Sequence, residues 1–358
     1  MTLISPIEPD TARSTRSSPY IAGIAHSLAS RRRDSVEIDA EMGRPAGWLE
    51  RLSGVRSRTV AGPDDSQEAM AGRAALAALK AAEISLDGID LLLFGAAVGR
   101  QPIPATAPLI KREIGATHLP FPAYDVNATC LSALTALDIA ALQIAAGRAR
   151  TVLVVTSEIA SRALPWQSDP KTAGLFGDGA AAIVLTATPP TSRQAGGPAG
   201  GSMSLRFRDF LMETHAEAYD CCTLGAGGTR FDYHDAPEAF AAHALFRMDG
   251  PELFRLSAAK LPAFIARLLD RLGWSHDDVD LVIPHQASPL ALAHMARRSG
   301  FSGDRIFNHV AMTGNLIAAS LPVALSSALQ DGRIRPGMKL LMVGTSAGVS
   351  LGGAGLES

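Results

Sequence analysis

The chain repeats part of itself, and this repeat constrains the fold more than any other feature of its 358 residues. Residues 85–94 (SLDGIDLLLF) resemble residues 275–284 (SHDDVDLVIP) at an offset of 190, and residues 153–157 (LVVTS) resemble residues 342–346 (MVGTS) at an offset of 189. Nearly equal offsets in the same order indicate that one structural unit is duplicated. Two similar halves packed together form a cleft at their junction, where small-molecule sites commonly lie.

Apolar runs alternate with Ala- and Leu-rich segments of helical spacing along the whole chain. The pattern predicts strands at 20–26, 89–97, 121–127, 151–156, 180–186, 280–284 and 339–344, and helices at 66–82, 104–114, 130–146, 250–272, 289–299 and 316–329. Such alternation predicts an α/β protein with a largely parallel sheet covered by helices on both faces. The Pro- and Gly-rich stretch 186–202 reads as a linker.

The predicted organisation is therefore an N-terminal arm and two halves. The arm spans residues 1–19, the N-terminal half residues 20–190 and the C-terminal half residues 203–358.

Composition excludes several functional classes. The 33 basic and 35 acidic residues give a net charge of −2, so no strong field favours nucleic acid or an anionic membrane. The apolar runs are about half of the ~20 residues that a membrane-spanning helix needs. The N-terminus has no apolar segment of the kind found in a signal peptide, and three cysteines are too few for a disulfide framework. These features predict a cytoplasmic protein.

Cys130 follows a predicted strand and a short polar turn, at the start of a predicted helix. The free N–H groups and positive dipole end of a helix N-terminus lower the pKa of a thiol and make it a better nucleophile. The backbone N–H of the same residue could also hold an oxyanion. The alternative is an ordinary buried cysteine, which is common for this residue type.

Two further residues carry groups suited to catalysis. His285 directly follows a predicted strand, at the carboxyl end where sites form in α/β sheets, and its imidazole can give or accept a proton. A structural histidine is the alternative. Asn315 lies in Gly-Asn before an Ala-rich helix, where it is either a turn and helix cap or an amide donor to a developing negative charge. No His or Cys pattern with metal-ligand spacing is present.

Taken together, these motifs resemble the thiolase superfamily, and more closely the β-ketoacyl-acyl-carrier-protein synthases of type III. The resemblance runs from about residue 21 to residue 354. The matching segments are DVNATC (125–130), FGDG (176–179), PHQA (284–287), GN (314–315) and the Gly-rich closing loop. The resemblance implies a thiolase-like fold, with duplicated halves in five α-β-α-β-α layers.

The resemblance implies a triad of Cys130, His285 and Asn315 and an oxyanion hole formed by the backbone N–H groups of Cys130 and Ala347. In this chemistry an acyl thioester loads its acyl group on the cysteine. A malonyl-type thioester then loses carbon dioxide and attacks the acyl group in a Claisen condensation. The implied pathway is a specialised lipid or polyketide pathway. No cofactor is implied beyond the thioesters of coenzyme A and acyl carrier protein.

The same resemblance suggests substrate-binding residues. Trp48, Arg51 and Arg162 match positions near the coenzyme A nucleotide, and Ile103 matches a residue that reaches across a homodimer to close the acyl pocket. Leu52 stands where the family has a basic residue, Leu290 replaces an arginine, and Ser288 replaces an asparagine. Coenzyme A and a carrier protein thus stay alternative donors.

Two other reactions fit the same scaffold. One is transfer of the acyl group to an oxygen or nitrogen nucleophile, for which no enolate would need Asn315. The other is condensation of two acyl chains without decarboxylation. Relatives that carry out the second reaction place a glutamate before the proline of the pocket loop, and here residues 99–106 (GRQPIPAT) contain none.

Overall fold

The computed structural model describes residues 18–190 and 204–358. Most of the predicted arm and most of the predicted linker therefore lie outside the described residues. The strands are β1 (Tyr20–Leu28), β2 (Arg31–Asp34), β3 (Ser57–Val60), β4 (Leu91–Gly95), β5 (Ala123–Val126), β6 (Thr151–Ile159), β7 (Asp178–Thr186), β8 (Leu205–Thr214), β9 (Cys222–Thr223), β10 (Arg247–Met248), β11 (Leu281–Pro284), β12 (Lys339–Ser346) and β13 (Ser350–Glu357). The helices are α1 (Ser35–Glu41), α2 (Trp48–Ser53), α3 (Gln67–Ala82), α4 (Ala107–Glu113), α5 (Ser132–Ala145), α6 (Pro170–Ala173), α7 (Pro237–Ala242), α8 (Gly250–Leu272), α9 (Pro289–Arg298), α10 (Val310–Thr313) and α11 (Ser320–Gln330).

Nine strands form one sheet in the order β11-β12-β13-β8-β1-β7-β6-β4-β5. In the first half, β4 runs parallel to β6, and β7 runs antiparallel to both β6 and β1. In the second half, β11 runs parallel to β12, and β13 runs antiparallel to both β12 and β8. The two halves therefore repeat the same strand order and directions, as the sequence offsets predict.

The two half-sheets join only at their inner edges. There β1 pairs with β8 through Tyr20 with Arg206 and Ile21 with Leu205. The outer edges differ. The first half ends in β5, which pairs in parallel with β4, whereas the second half has only an isolated bridge between Val282 and Ile306 at the corresponding place.

Helices occupy three layers around the half-sheets. Helix α3 packs on one face of the first half-sheet and α8 on one face of the second, while α5 and α11 pack against each other between the two. The strands alternate accordingly: Leu91 and Leu93 belong to the middle core, and Leu92 and Phe94 to the core under α3. This five-layer α/β arrangement confirms the predicted fold class.

Strand β13 was not predicted, because its glycines obscure the strand pattern. An added Cβ on Gly353 would lie 2.5 Å from Leu268 of α8, and one on Gly352 would lie 2.9 Å from Leu131. Close packing on both faces of the strand therefore requires glycine. Strand β8 was also missed, because no strand or helix is predicted between residues 203 and 249.

Among the helices of the described part of the chain, none is both long and apolar enough to cross a membrane.

Candidate active site

Cys130 lies in a tight 3-10 turn, Thr129–Leu131, between β5 and α5. Thr129 adopts a left-handed backbone with φ 51°, which is strained for a β-branched residue. The turn is held by its neighbours: Asn127 Oδ1 accepts the Thr129 N–H at 2.9 Å, and Ser132 Oγ accepts the Ala128 N–H at 2.9 Å. Strained backbone fixed in this way is typical of functional turns.

The Cys130 thiol is a protonated group at neutral pH. Burial raises its pKa to about 12, and the charges of Cys222 and Glu158 act in the same direction. The N–H groups of Ala347 and Cys130 itself interact with the sulfur and oppose the shift. The sequence-based expectation of a lowered pKa is therefore wrong, because desolvation outweighs the amide groups in this site. The side chain keeps partial exposure, and all three cysteines are free.

Ala347 lies next to the Cys130 turn. It follows β12 directly, and its carbonyl oxygen accepts the Thr129 hydroxyl at 3.2 Å. Because the N–H groups of Ala347 and Cys130 both approach the Cys130 sulfur, a carbonyl oxygen bonded next to that sulfur would find the same two donors. Two N–H donors placed in this way are suited to hold an oxyanion.

His285 follows β11 and is only 6% exposed. Burial lowers the pKa of its imidazole to about 4, so the ring is neutral at physiological pH. Its Nδ1 is buried with no hydrogen-bond partner among the described residues. Gly344 of β12 admits the ring, because an added Cβ there would lie 2.7 Å from His285 Cβ and 3.2 Å from Leu131. His285 and the Cys130 turn thus flank the same glycine.

The amide of Asn315 has a fixed orientation. Its Oδ1 accepts the Ile317 N–H at 2.8 Å and the Ser320 hydroxyl at 3.2 Å. The Ile317 N–H requires an acceptor at that position, so the Nδ2 group points the other way and donates to the Ala287 carbonyl at 3.3 Å. Asn315 therefore presents N–H groups towards the loop that carries His285.

An apolar cluster lies beside Asn315. Phe176 forms a bridge with Asn315 and packs edge-to-face on Phe246, with ring centroids 5.2 Å apart. The cluster also contains Ala160, Leu164, Trp166, Ala173, Leu175 and Ile317. This packed cluster places apolar side chains directly beside the polar groups of the site. Phe246 could not have been predicted, because the sequence pattern assigns no helix or strand between residues 203 and 249.

A small cavity of about 80 Å³ lies beside His285, between α8 and α9. Phe254, Leu261 and Leu292 contribute apolar walls to it.

Trp48 begins α2, on the side of the site where α9 starts. The Asp39 carboxylate accepts the N–H groups of Trp48 and Leu49 at 3.1 and 2.9 Å and so caps α2. At its other end, Gly54 leaves room for Pro289 of α9. The guanidinium carbon of Arg44 lies 5.1 Å from the centre of the Trp48 ring.

The other three residues expected to bind substrate lie in different places. Arg51 is exposed on α2. The Arg162 guanidinium instead donates to the Asp65 carbonyl at 3.3 Å, so its described contact is with a neighbouring loop rather than with Trp48. Ile103 is 86% exposed on the loop between β4 and α4.

Sequence reasoning missed Glu158, a buried carboxyl group near the end of β6. The repeat contained the signal, because it matches residues 153–157 with 342–346, and the next residues are Glu158 and Ala347. The partner position of an oxyanion-hole residue is thus occupied by an acid.

Known proteins resemble the chain over nearly its whole length. Residues 124–197 and 269–358 match family models of 3-oxoacyl-(acyl-carrier-protein) synthase III and of its C-terminal part. The chain is 34% identical over 342 residues to β-ketoacyl-(acyl-carrier-protein) synthase III 3 of Streptomyces coelicolor, covering 96% of this chain and 97% of that protein.

Two further proteins give the same result. The 3-oxopimeloyl-(acyl-carrier-protein) synthase of Rhodothermus marinus is 32% identical, with 92% and 90% of the two chains covered. The crystal structure of 3-oxoacyl-(acyl carrier protein) synthase III from Pseudomonas aeruginosa superimposes with a TM-score of 0.80 at 28% identity, covering 95% of this chain and 98% of that one. The chain therefore belongs to the β-ketoacyl-(acyl-carrier-protein) synthase III family of condensing acyltransferases.

Proposed function

We propose that Cys130 accepts an acyl group from a thioester of coenzyme A or acyl carrier protein, and that a malonyl-type thioester then condenses with it. The observation that carries this proposal is the contact between the Cys130 turn and the end of β12: Thr129 donates to the Ala347 carbonyl oxygen at 3.2 Å, and the Ala347 N–H approaches the Cys130 sulfur. A thiol beside two converging N–H donors is arranged for acyl transfer.

In the first step Cys130 Sγ attacks the thioester carbon. The N–H groups of Cys130 and Ala347 hold the oxyanion, the bond to the carrier sulfur breaks, and the thiol proton ends on the carrier. Because burial keeps Cys130 protonated, attack and proton transfer are coupled. The neutral imidazole of His285 is suited to pass that proton on.

In the second step the malonyl-type thioester loses carbon dioxide, and the electron pair moves onto its carbonyl oxygen. The N–H groups of His285 and Asn315 stabilise this enolate. Its carbon then attacks the acyl carbon, the bond to Cys130 breaks, and the thiolate takes up a proton. Thioesters supply both the leaving group and the nucleophile, so the chemistry needs no further cofactor.

The cluster around Phe176 and Phe246 would hold the alkyl chain, because it lies next to Asn315 and is apolar. Trp48 and Arg51 would lie at the entrance, where an adenine or a carrier protein arrives. The Arg162 guanidinium donates to the Asp65 carbonyl and would act on the nucleotide through that loop.

A homodimer fits the open edge of the sheet. Strand β5 ends the sheet, its Tyr124 is 39% exposed, and Ile103 on the adjoining loop is 86% exposed. A cavity of about 390 Å³ lies between that loop and α4. Pairing of two β5 edges would cover these residues, and light scattering measures the resulting mass.

The test separates the two steps. The protein is incubated with an acyl-coenzyme A or acyl carrier protein and its intact mass is measured; a malonyl thioester is then added. We expect an acyl adduct on Cys130, then a β-ketoacyl product with release of carbon dioxide. Loss of the adduct only to an alcohol or amine, or a product without malonate, would contradict condensation by decarboxylation.

A further inference from the structure

Glu158 is a buried acid that the proposed reaction does not use. The residue is 1% exposed, and its Oε1 accepts the Ala97 N–H at 2.6 Å. The backbone N–H groups of Ala318 and Val98 interact with the same carboxyl group. A carboxyl group is costly to bury unless its contacts compensate, so its place beside the site calls for an explanation.

One set of contacts leads from Glu158 to the nucleophile. Ala97, whose N–H binds the carboxyl group, uses its carbonyl oxygen to accept the side-chain amide of Asn127 at 3.0 Å. Asn127 in turn accepts the Thr129 N–H at 2.9 Å, and Cys130 is the next residue. The carboxyl group is therefore two hydrogen-bonded residues away from the Cys130 turn.

A second set of contacts connects Glu158 to Asn315, the amide donor of the proposed second step. Ala318 belongs to the 3-10 turn Ile317–Ala319, which follows Asn315. The N–H of Ile317 in that turn donates to Asn315 Oδ1 and fixes the amide. The same carboxyl group thus contacts both turns, one from each half of the chain.

The duplicated fold explains how one side chain reaches both. The Cys130 turn packs against β12, and the Ile317–Ala319 turn packs against β6. In the first pair the N–H of Ala347 approaches Cys130, and in the second the carboxyl group of Glu158 approaches Ala318. The position beside Cys130 is therefore open to an oxyanion, whereas the equivalent position beside Ala318 is filled by the Glu158 carboxyl group.

We propose that Glu158 is a positioning residue for the condensation: it holds the Cys130 turn and the Asn315 turn at the separation at which the acyl carbon meets the enolate. The inference rests on the proposed function. It assigns Glu158 to the second step, since loading of Cys130 uses the donors at Ala347 and Cys130 and the imidazole of His285 but not the amide of Asn315.

The charge of Glu158 should be detectable in the pH dependence of Cys130 reactivity. Burial raises the pKa of its carboxyl group to about 8. Two titratable groups face it, the Cys130 thiol and Asp178 of β7. Ionisation of Glu158 above pH 8 places a negative charge facing the thiol and disfavours the Cys130 thiolate. A merely structural side chain would leave the pH profile of Cys130 unchanged.

The test compares the wild-type protein with Glu158→Gln, which keeps the size but cannot ionise. The amide NH₂ also meets N–H donors where an oxygen stood. We expect the condensation rate to fall by about 10- to 100-fold, with loading of Cys130 at pH 7 retained. Alkylation of Cys130 by iodoacetamide at pH 9, followed by peptide mass spectrometry, should become faster by about tenfold, a shift of about one pKa unit.

Two further variants keep the outcome interpretable. Asn127→Ala cuts the link to the Cys130 turn at an exposed residue and should slow condensation in the same direction without altering the alkylation profile. Asp138→Asn is the matched control, since burial also raises the pKa of this carboxyl group on α5, to about 6, and it should leave both measurements unchanged.

Condensation by Glu158→Gln at the wild-type rate, or an unshifted alkylation profile, would overturn the proposal. Failure of the proposed function would show differently, as absence of acyl loading in the wild-type protein itself.

Discussion

The Cys130 turn in the first half and the Ile317–Ala319 turn in the second have the same backbone shape and different contents. Each is a 3-10 turn that leads into a middle-layer helix, and each holds a β-branched residue, Thr129 or Ile317, at φ 51°. The first turn offers a thiol to a crevice. The second offers an alanine, Ala318, to a buried carboxyl group. Duplication supplied two equivalent turns, and only one contains a nucleophile.

Removing that nucleophile tests this asymmetry with the largest expected effect. Cys130→Ser should abolish the acyl adduct, with a loss of turnover on the order of 10⁴-fold or more, because no other group attacks the thioester. Intact-mass measurement after incubation with an acyl thioester checks this.

A double variant, Cys130→Ala with Ala318→Cys, moves the thiol to the second turn. It should not restore the adduct, since Glu158 fills the site beside residue 318. An adduct on residue 318 would show the two turns to be equivalent.

The second half contributes donors instead, and Asn315→Ala tests them. We expect condensation to slow by about 10²- to 10³-fold while acyl loading persists, because the enolate loses one N–H donor. Product formation from the preloaded enzyme gives the rate. Asn308→Ala, an exposed residue on the same segment, is the control and should react like the wild type. Normal condensation by Asn315→Ala would remove the role assigned to its amide.

The outer helix of the second half, α8, packs closely on β13 at Gly353. A substitution at Gly353 tests this contact. Gly353→Ala would place a Cβ 2.5 Å from Leu268 and 2.9 Å from the Met342 carbonyl oxygen. Overpacking of this kind costs about 1–3 kcal/mol of unfolding free energy. Gly303→Ala, with open space around it, should change stability by less than about 0.5 kcal/mol. Equal midpoints of denaturant unfolding for the two variants would contradict this packing.

A smaller difference concerns two histidines of the second half, His285, which is buried, and His309, which is half-buried. Burial lowers the pKa of both His285 and His309 to about 4. The unfolded chain takes up protons at its ordinary pKa near 6.5 while the folded chain does not. Stability is therefore lost as the pH falls from about 6.5 towards 4, by up to about 1.4 kcal/mol per pH unit for each histidine.

His309→Leu should flatten this dependence, since His309 lies outside the proposed chemistry. Thermal unfolding between pH 7 and pH 5 measures the slope. An identical slope in wild type and variant would show that His309 contributes nothing to it.

The sequence predicted the fold where local pattern and packing agree. Helix α8 appeared with its observed bounds, Gly250–Leu272, because its apolar residues recur at helical spacing. Strand β13 did not, since close neighbours on both faces select glycine over the usual strand residues. Strand β8 has partly exposed positions and mixed polarity, so no period of two was visible.

Motifs and positions were enough to propose the site residues, but not the electrostatics around them. Cys130, His285 and Asn315 were identified by motif and position. The pKa of Cys130 depends on how much water the assembled halves exclude, and this quantity is set by tertiary packing rather than by the helix that follows. Glu158 escaped notice because its importance lies in contacts with residues 97 and 318, which are distant in the sequence.

The unequal ends of the nine-stranded sheet limit how copies of this chain can assemble. Within residues 18–190 and 204–358, β5 ends the sheet with an unpaired edge, whereas at the β11 end Val282 forms an isolated bridge with Ile306. A contact that joins one β5 edge to another uses the same surface twice and leaves no template for a third chain. A pair joined through its two β5 edges would therefore leave no β5 edge exposed for a further strand.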